Sequence, residues 1–258
     1  MDNTKVLMSE SALYDIFNQN CLDDIDMYIK MCKQTKHSIL ELGIGTGRVA
    51  IPMAREGMNI VGIDTSPIML EMLRKKIVRE RINGITFFQQ DMRSLSLESN
   101  FDIVLCPFCT FNFLLSIEDQ INALLSIRNI MKEDSKIIFD LLTINTFPSS
   151  LEDNSLKYFD TCKISEDGFA EIYISNSFDQ SNQFFKQERY YREYSRDIFI
   201  REYHTTMKNR FFLLGEFQLL LNRCGYKILN IYGDYNFSFF SNGSPNLIIE
   251  ASLENNSS

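Results

Sequence analysis

Basic residues are in the minority in this chain. Lysine and arginine number 26 against 34 aspartates and glutamates, a net charge of −8. A bulk electrostatic grip on nucleic acid or an anionic membrane needs a basic face, so neither is the expected partner. The local basic strip Arg74–Arg81 is the exception to that balance. No apolar run approaches the roughly 20 residues that span a bilayer. Met1–Glu10 holds no basic segment followed by an apolar one, so no export signal is expected there. Cysteine is sparse, six in 258 residues. That is too few for a disulfide scaffold, and the expected setting is a reducing cytoplasm. Histidine occurs twice, as His37 and His204. His37 is expected to be structural, and His204 to face a substrate. No second pair of ligands accompanies any cysteine or histidine at zinc-site spacing, so no metal is expected.

Hydrophobic residues make up 45% of the chain and charged residues 23%, an ordinary globular balance. Apolar positions at helical spacing predict a helix over about 9–33. A short apolar run, Ser38–Leu42, then ends in glycines and predicts a buried strand. Helices are expected at Arg48–Glu56, at Ser66–Arg79 with Ser66 as N-cap and Pro67 at the first position, and at Ile117–Met131. Strands are expected at Asn59–Ile63, Ile85–Gln89, Phe101–Leu105 and Lys136–Leu142. Strands alternating with helices predict a parallel sheet covered on both faces. After about residue 145 the pattern changes to aromatic-rich alternating runs over 168–208, which predict antiparallel strands. A helix at Glu216–Cys224, closed by Gly225, and strands at Tyr226–Tyr232 and Asn246–Ser252 complete the chain. The organisation expected is an N-terminal helical cap (1–35), an α/β core (36–145 and 214–253) and an antiparallel lid (146–213).

The most informative stretch is Glu41-Leu42-Gly43-Ile44-Gly45-Thr46-Gly47-Arg48. Glycines between a strand and a helix let the backbone turn tightly and approach a ligand, and the helix start offers free N–H groups. Asp64 ends the next strand, where a carboxylate can accept hydrogen bonds from both hydroxyls of an adenosine ribose. The spacing is G-x-G-x-G, one residue shorter than the dinucleotide fingerprint. A pyrophosphate is disfavoured by the neighbouring Glu41, whereas an ammonium suits it. An adenosine joined to an amino acid, S-adenosylmethionine, fits both ends. An NAD-linked oxidoreductase and a non-catalytic nucleoside-binding or protein-interaction module remain as alternatives. Cys106-Pro107-Phe108-Cys109 also leaves open a thiol redox site.

These segments resemble the class I S-adenosylmethionine-dependent methyltransferases. Ile39–Gly57 is similar to that family's first motif, Ile60–Met72 to the second, Gln90–Met92 to the third, Phe101–Leu114 to the fourth and Ile127–Leu142 to the fifth. The resemblance implies a Rossmann-like, mostly parallel seven-stranded sheet with helices on both faces and an antiparallel strand-rich lid insertion. It implies cofactor contacts from Tyr14, Glu41, Gly43, Ile44, Gly45, Gly47, Asp64, Thr65, Met69, Asp91, Met92 and Cys106. In it Asp64 takes the ribose, Met69 lies under the adenine, and Asp91 with its neighbour reads the adenine edge.

A finer resemblance, carried by Tyr14-Asp15, Pro107–Leu114 and Tyr232–Tyr235, is to small-molecule and natural-product N-methyltransferases. It implies transfer to an amine of an amino sugar, a small molecule or a peptide N-terminus, by a monomer or homodimer. Phe113 stands where relatives often carry histidine. A hydroxyl acceptor usually needs a positioned base or metal, which favours nitrogen over oxygen; an O-methyltransferase is the alternative. Tyr14, Asn112 and His204 are the catalytic candidates. Phe108, Phe111, Asn112, Asp160, His204 and Asp234 are the substrate-binding candidates.

Overall fold

The computed structural model describes residues 10–33, 38–98, 100–146 and 154–254. His37 and the first nine residues of the expected cap lie outside them.

Two sheets organise the chain. The larger has seven strands: β1 (Ile39–Leu42), β2 (Ile60–Asp64), β3 (Ile85–Gln89), β4 (Phe101–Cys106), β5 (Met131–Leu141), β10 (Tyr226–Tyr232) and β11 (Leu247–Leu253). Their spatial order is β10-β11-β5-β4-β1-β2-β3. Strands β1 to β5 run parallel, while β11 lies antiparallel between β5 and β10. The smaller sheet is antiparallel, formed by β6 (Lys157–Lys163), β7 (Gly168–Asp179), β8 (Phe184–Ser195) and β9 (Ile198–Arg210) in sequential order.

Strand alternation divides the core. Leu40, Leu42, Val104, Ile137 and Phe139 pack on one face of the large sheet, with Leu124 and Ile127 of α5 (Ile117–Arg128) and Phe217 and Leu221 of α6 (Leu214–Arg223). Ile39, Ile103, Leu105 and Ile138 pack on the other. There they meet α2 (Ile25–Cys32), α3 (Ala50–Arg55) and α4 (Pro67–Glu80).

The expected single helix over 9–33 is two, α1 (Glu10–Asn18) and α2. Asn18 turns back on α1, its Nδ2 donating to Tyr14 O at 2.8 Å. Arg48 then pins the break by bonding Cys21 O and the Asp24 carboxylate. Helix α3 starts late, at Ala50, so Pro52 falls in its first turn, where a missing N–H removes no intrahelical bond. Ser66 caps α4 as expected, accepting from Met69 N. Strand β5 begins five residues before the expected Lys136, its first part set off by a register shift between the Phe101–Met131 and Ile103–Lys136 pairs.

Candidate active site

The loop after β1 is shaped by what its glycines make possible. Gly43 has φ +68, and a Cβ there would lie 2.5 Å from Thr110 Cγ2. Gly45 has φ +54, and a Cβ there would meet nothing closer than 3.8 Å, so its backbone is open to a ligand. Asp64, at the end of β2, steadies this loop. Its Oδ2 accepts from Gly45 N at 2.9 Å and its Oδ1 from Ser66 N at 2.8 Å. Thr65 beside it is exposed, and Met69 is half-buried in the first turn of α4.

Glu41 lies beneath the loop, 2% exposed, with its Oε2 unpartnered. Burial pushes its carboxyl up to about 8; Arg48 opposes that shift, and Asp24 and Asp64 reinforce it. An orphaned buried carboxylate oxygen beside an open glycine turn fits the amino-acid end of S-adenosylmethionine. Asp64, one strand across, fits its ribose. Glu41, Gly43, Gly45 and Asp64 are thus brought together at the ends of β1 and β2.

Tyr14 comes to the same region from α1, which is tied down by Asp15: Thr46 Oγ1 donates to its carboxylate at 2.6 Å and Lys76 Nζ at 2.8 Å. Burial raises the Tyr14 hydroxyl to about 12, against the pull of Arg48. That hydroxyl stays protonated at neutral pH, so it can orient a ligand by hydrogen bonding rather than take a proton. Arg48 itself forks onto Asp24 and covers the Phe108 ring, 3.7 Å from the centroid.

Other expected residues are used differently. Ile44 is 2% exposed and fills the space left by Gly62, so its side chain belongs to the core. Asp91 caps a short 3-10 turn through Arg93 N and is chelated by the Arg93 guanidinium, which holds its carboxyl below the usual range. Met92 packs on the core from that turn.

Cys106 is fully buried among apolar side chains, and burial raises both its thiol and that of Cys109. Neither is the exposed, acidic thiol that redox exchange needs, and Cys106 presents no side chain to a cofactor. Phe111 is also fully buried, packed edge-on against Phe139 and Phe217. It supports the substrate region without lining it.

Asn112 is a clamp rather than a proton acceptor. Its Oδ1 accepts from Leu142 N at 3.1 Å, and its Nδ2 donates to Leu142 O at 3.3 Å and Arg210 O at 2.6 Å. Its carbonyl and amide are already committed to joining the two sheets. His204 is exposed and stacks on Tyr190, with ring centroids 4.5 Å apart. In the cross-strand register Tyr203 pairs with Tyr191, and both pack with Leu13 of α1. His204 therefore points to the opposite face of the small sheet, away from α1, and loses its expected catalytic and substrate roles.

Asp160 and Asp234 sit on different elements, β6 and the β10–β11 connection. Asp160 lies on β6 near Cys162, which bonds Gln19 of α1. Asp234 caps the β10–β11 connection by accepting from Asn236 N and Ser238 N.

Three residues without a role in the sequence analysis gather beside Phe108. Asp140, on β5, is fully buried and receives Tyr28 Oη at 2.6 Å and Tyr235 Oη at 3.0 Å. A lone acid inside the apolar run Ile137-Ile138-Phe139-Asp140-Leu141-Leu142 was the available signal, since an isolated buried carboxylate is costly.

Residues 39–134 match the methyltransferase-domain family. A putative methyltransferase of Bacillus subtilis strain 168, YqeM, is 25% identical over 250 residues, covering 93% of this chain and 94% of its own. An S-adenosylmethionine-dependent methyltransferase of Clostridium acetobutylicum shares the fold with a TM-score of 0.78 at 17% identity, covering 94% of this chain and 96% of its own. The CcbJ methyltransferase of Streptomyces caelestis does so with a TM-score of 0.75 at 19% identity and 90% coverage of both chains. Residues 39–134 thus carry a methyltransferase domain, set in a sheet whose order and glycine turn are those of the Rossmann-like methyltransferase fold. The enzyme is of the S-adenosylmethionine-dependent kind, which sets aside the oxidoreductase and the non-catalytic module. Among the described residues no helix is long and apolar enough to cross a membrane.

Proposed function

We propose that this enzyme methylates an amine nitrogen of a small molecule or natural product. The observation that carries the cofactor half of this reading is the unpartnered Glu41 Oε2 beside the open Gly45 turn and Asp64. When bound, S-adenosylmethionine supplies a methyl group already activated by a positive sulfur. The chain's task is then orientation. In this reading Glu41 holds the ammonium end and Asp64 the ribose, with Met69 and Asp91, the latter through the turn it caps, proposed for the adenine. Tyr14 and Phe108 border the reacting end.

Nitrogen is preferred over oxygen on chemical grounds. A weak base such as a carboxylate is enough to take a proton from an ammonium, whereas a hydroxyl, far less acidic, calls for a stronger base or a metal. Of the expected bases, His204 is turned to the far face of the lid sheet and Asn112 is committed to its clamp. Kinship supports the same choice. Proteins of this fold include the sugar N-methyltransferase KedS8, the amino pentose methyltransferase CalS10 and the glycopeptide N-methyltransferase MtfA. Sequence relatives include the cypemycin N-terminal methyltransferase and a glycine/sarcosine N-methyltransferase.

The small sheet and α1 form the lid over the acceptor in this reading, its inner face built on Leu13, Ile172, Tyr191 and Tyr203. The deciding experiment incubates the enzyme and S-adenosylmethionine with glycine, sarcosine, ethanolamine, glucosamine, a glycyl dipeptide and the hydroxyl counterparts of each. Gain of a methyl group on nitrogen, read by fragmentation mass spectrometry, supports the proposal. Methylation confined to oxygen overturns it.

A further inference from the structure

The Asp140 carboxylate is divided in an unusual way. Oδ2 receives three donors: Tyr28 Oη at 2.6 Å, Tyr235 Oη at 3.0 Å and Phe108 N at 3.2 Å. Oδ1 receives none, although the residue is fully buried. An orphaned buried acceptor forfeits the hydrogen bond it made to water, and a charged one forfeits more.

The position of this oxygen matters. Glu41 pairs in register with Leu105, and Leu105 with Ile138. Asp140 is two residues beyond Ile138, so it shares a sheet face with Glu41. It lies two strand spacings away, roughly 10 Å across the sheet, and nearer the strand ends. A cofactor held at Glu41 and Asp64 occupies the β1–β2 side of that edge. Asp140 belongs to the other side, under the Pro107–Cys109 turn. Its own carbonyl accepts from Cys109 N at 3.1 Å, and Phe108 and Cys109 both hold left-handed backbone angles, φ +49 and +59. Phe108 and Tyr235, which touch the carboxylate, are only partly buried. The acid therefore lies one side-chain layer below the surface.

We propose that Asp140, oriented by Tyr28 and Tyr235, is the acceptor subsite: its free Oδ1 binds the ammonium form of the substrate amine and takes one of its protons. The N–H bonding pair stays on nitrogen as the lone pair that methyl transfer requires, and the proton moves to Oδ1. A carboxylate suits this task only if burial has made it a better base. Desolvation does raise this one to about 6, with Asp24 adding to the rise and the two tyrosines opposing it. The groups facing it are Tyr28 from α2, Tyr235 from the β10–β11 connection, Asp24 ahead of α2, and Cys106 and Cys109 at the end of β4. Arg48, which covers the Phe108 ring, is spent on its ion pair with Asp24, so the Asp140 anion is left for a cationic ligand.

The assignment rests on the amine reading above, and the test separates the two. The amine with the largest methyl gain in the wild-type panel serves as probe. It is titrated calorimetrically into wild type and Asp140→Asn, each saturated with S-adenosylhomocysteine. In Asn the three donors keep an oxygen partner, but the anion is gone. The expected result is unchanged S-adenosylhomocysteine affinity and amine binding weakened about ten- to a hundredfold, the range expected for a lost charged hydrogen bond.

The pH profile gives the second readout. Above about pH 6, with Asp140 ionised and the amine protonated, log kcat/KM of wild type should be level, and below it should fall with slope one as Asp140 protonates; Asp140→Asn, which must wait for the free amine, should show slope one throughout. Tyr235→Phe removes a donor to the ionised form and should move the wild-type break upward; this holds the test open if Asp140→Asn fails to fold. Equal amine affinity in wild type and Asp140→Asn, or a break that Tyr235→Phe leaves in place, overturns the subsite while leaving amine methylation standing. A wild-type enzyme that methylates only hydroxyls overturns both.

Discussion

The Arg48 guanidinium lies face-on to the Phe108 ring, 3.7 Å from its centroid, while its nitrogens grip the buried carboxylate of Asp24. One side chain thus joins the glycine turn, the break between α1 and α2, and the turn after β4. Arg48→Met should strand the Asp24 carboxylate, whose side chain is 3% exposed. Loss of one partner of a buried pair costs about 3–5 kcal/mol. Chemical denaturation should show that loss; a change within the error of the extrapolation would mean that the pair is dispensable.

Asp64 should be indispensable to cofactor capture. Both its oxygens already hold backbone N–H groups of the flanking turns, so Asp64→Ala loosens the cradle and removes the ribose acceptor together. S-adenosylmethionine affinity measured by calorimetry should fall at least about tenfold, one charged hydrogen bond's worth.

Glu41 should make cofactor affinity rise with pH. Its carboxyl, raised by burial to about 8, is mostly neutral at pH 7, and pairing with an ammonium requires the anion. Binding near pH 7 should therefore release a proton, detectable by calorimetry in buffers of different ionisation enthalpy. The sign for folding is the reverse of the usual carboxylate. The native state binds the extra proton between the unfolded value and about 8, so stability falls as pH climbs through that window. Glu41→Gln should flatten both profiles.

The clamp and the exposed imidazole should separate cleanly. Asn112→Ala takes the side-chain partner from Leu142 N and Arg210 O, while Leu142 O keeps Phe212 N. It should destabilise the fold by about 2–4 kcal/mol, a cost set by buried unsatisfied groups. His204→Ala should leave kcat/KM for the methylated amine unchanged, because His204 meets Tyr190 on the lid's outer face. A tenfold fall would return the histidine to the site.

Local chemistry wrote much of this architecture legibly. The alternation of apolar strands and capped helices carried the parallel sheet, and Ser66 with Pro67 marked the start of α4 to the residue. The proposed cofactor cradle could be read from sequence because a glycine turn and the acid after the next strand are local signals, and the structure brings them together. Acceptor-side residues were not, because their roles are set by partners far along the chain. Asn112 reads as a polar residue near the methyl group until Arg210, 98 residues away, is seen to occupy it. His204 reads as a base until strand parity turns it outward. Asp140 gains its meaning only from Tyr28, 112 residues before it, and Tyr235, 95 residues after.

Strand β11 has a consequence for biosynthesis. Because Leu247–Leu253 slots between β5 and β10, the rim of β5 stays unzipped on the ribosome until that segment emerges. The nascent chain must carry an open, apolar flank from Leu141 until Leu247–Leu253 is available, a state prone to mispairing. A chain cut just short of residue 247 should be held by chaperones, and one that includes Leu247–Leu253 should not.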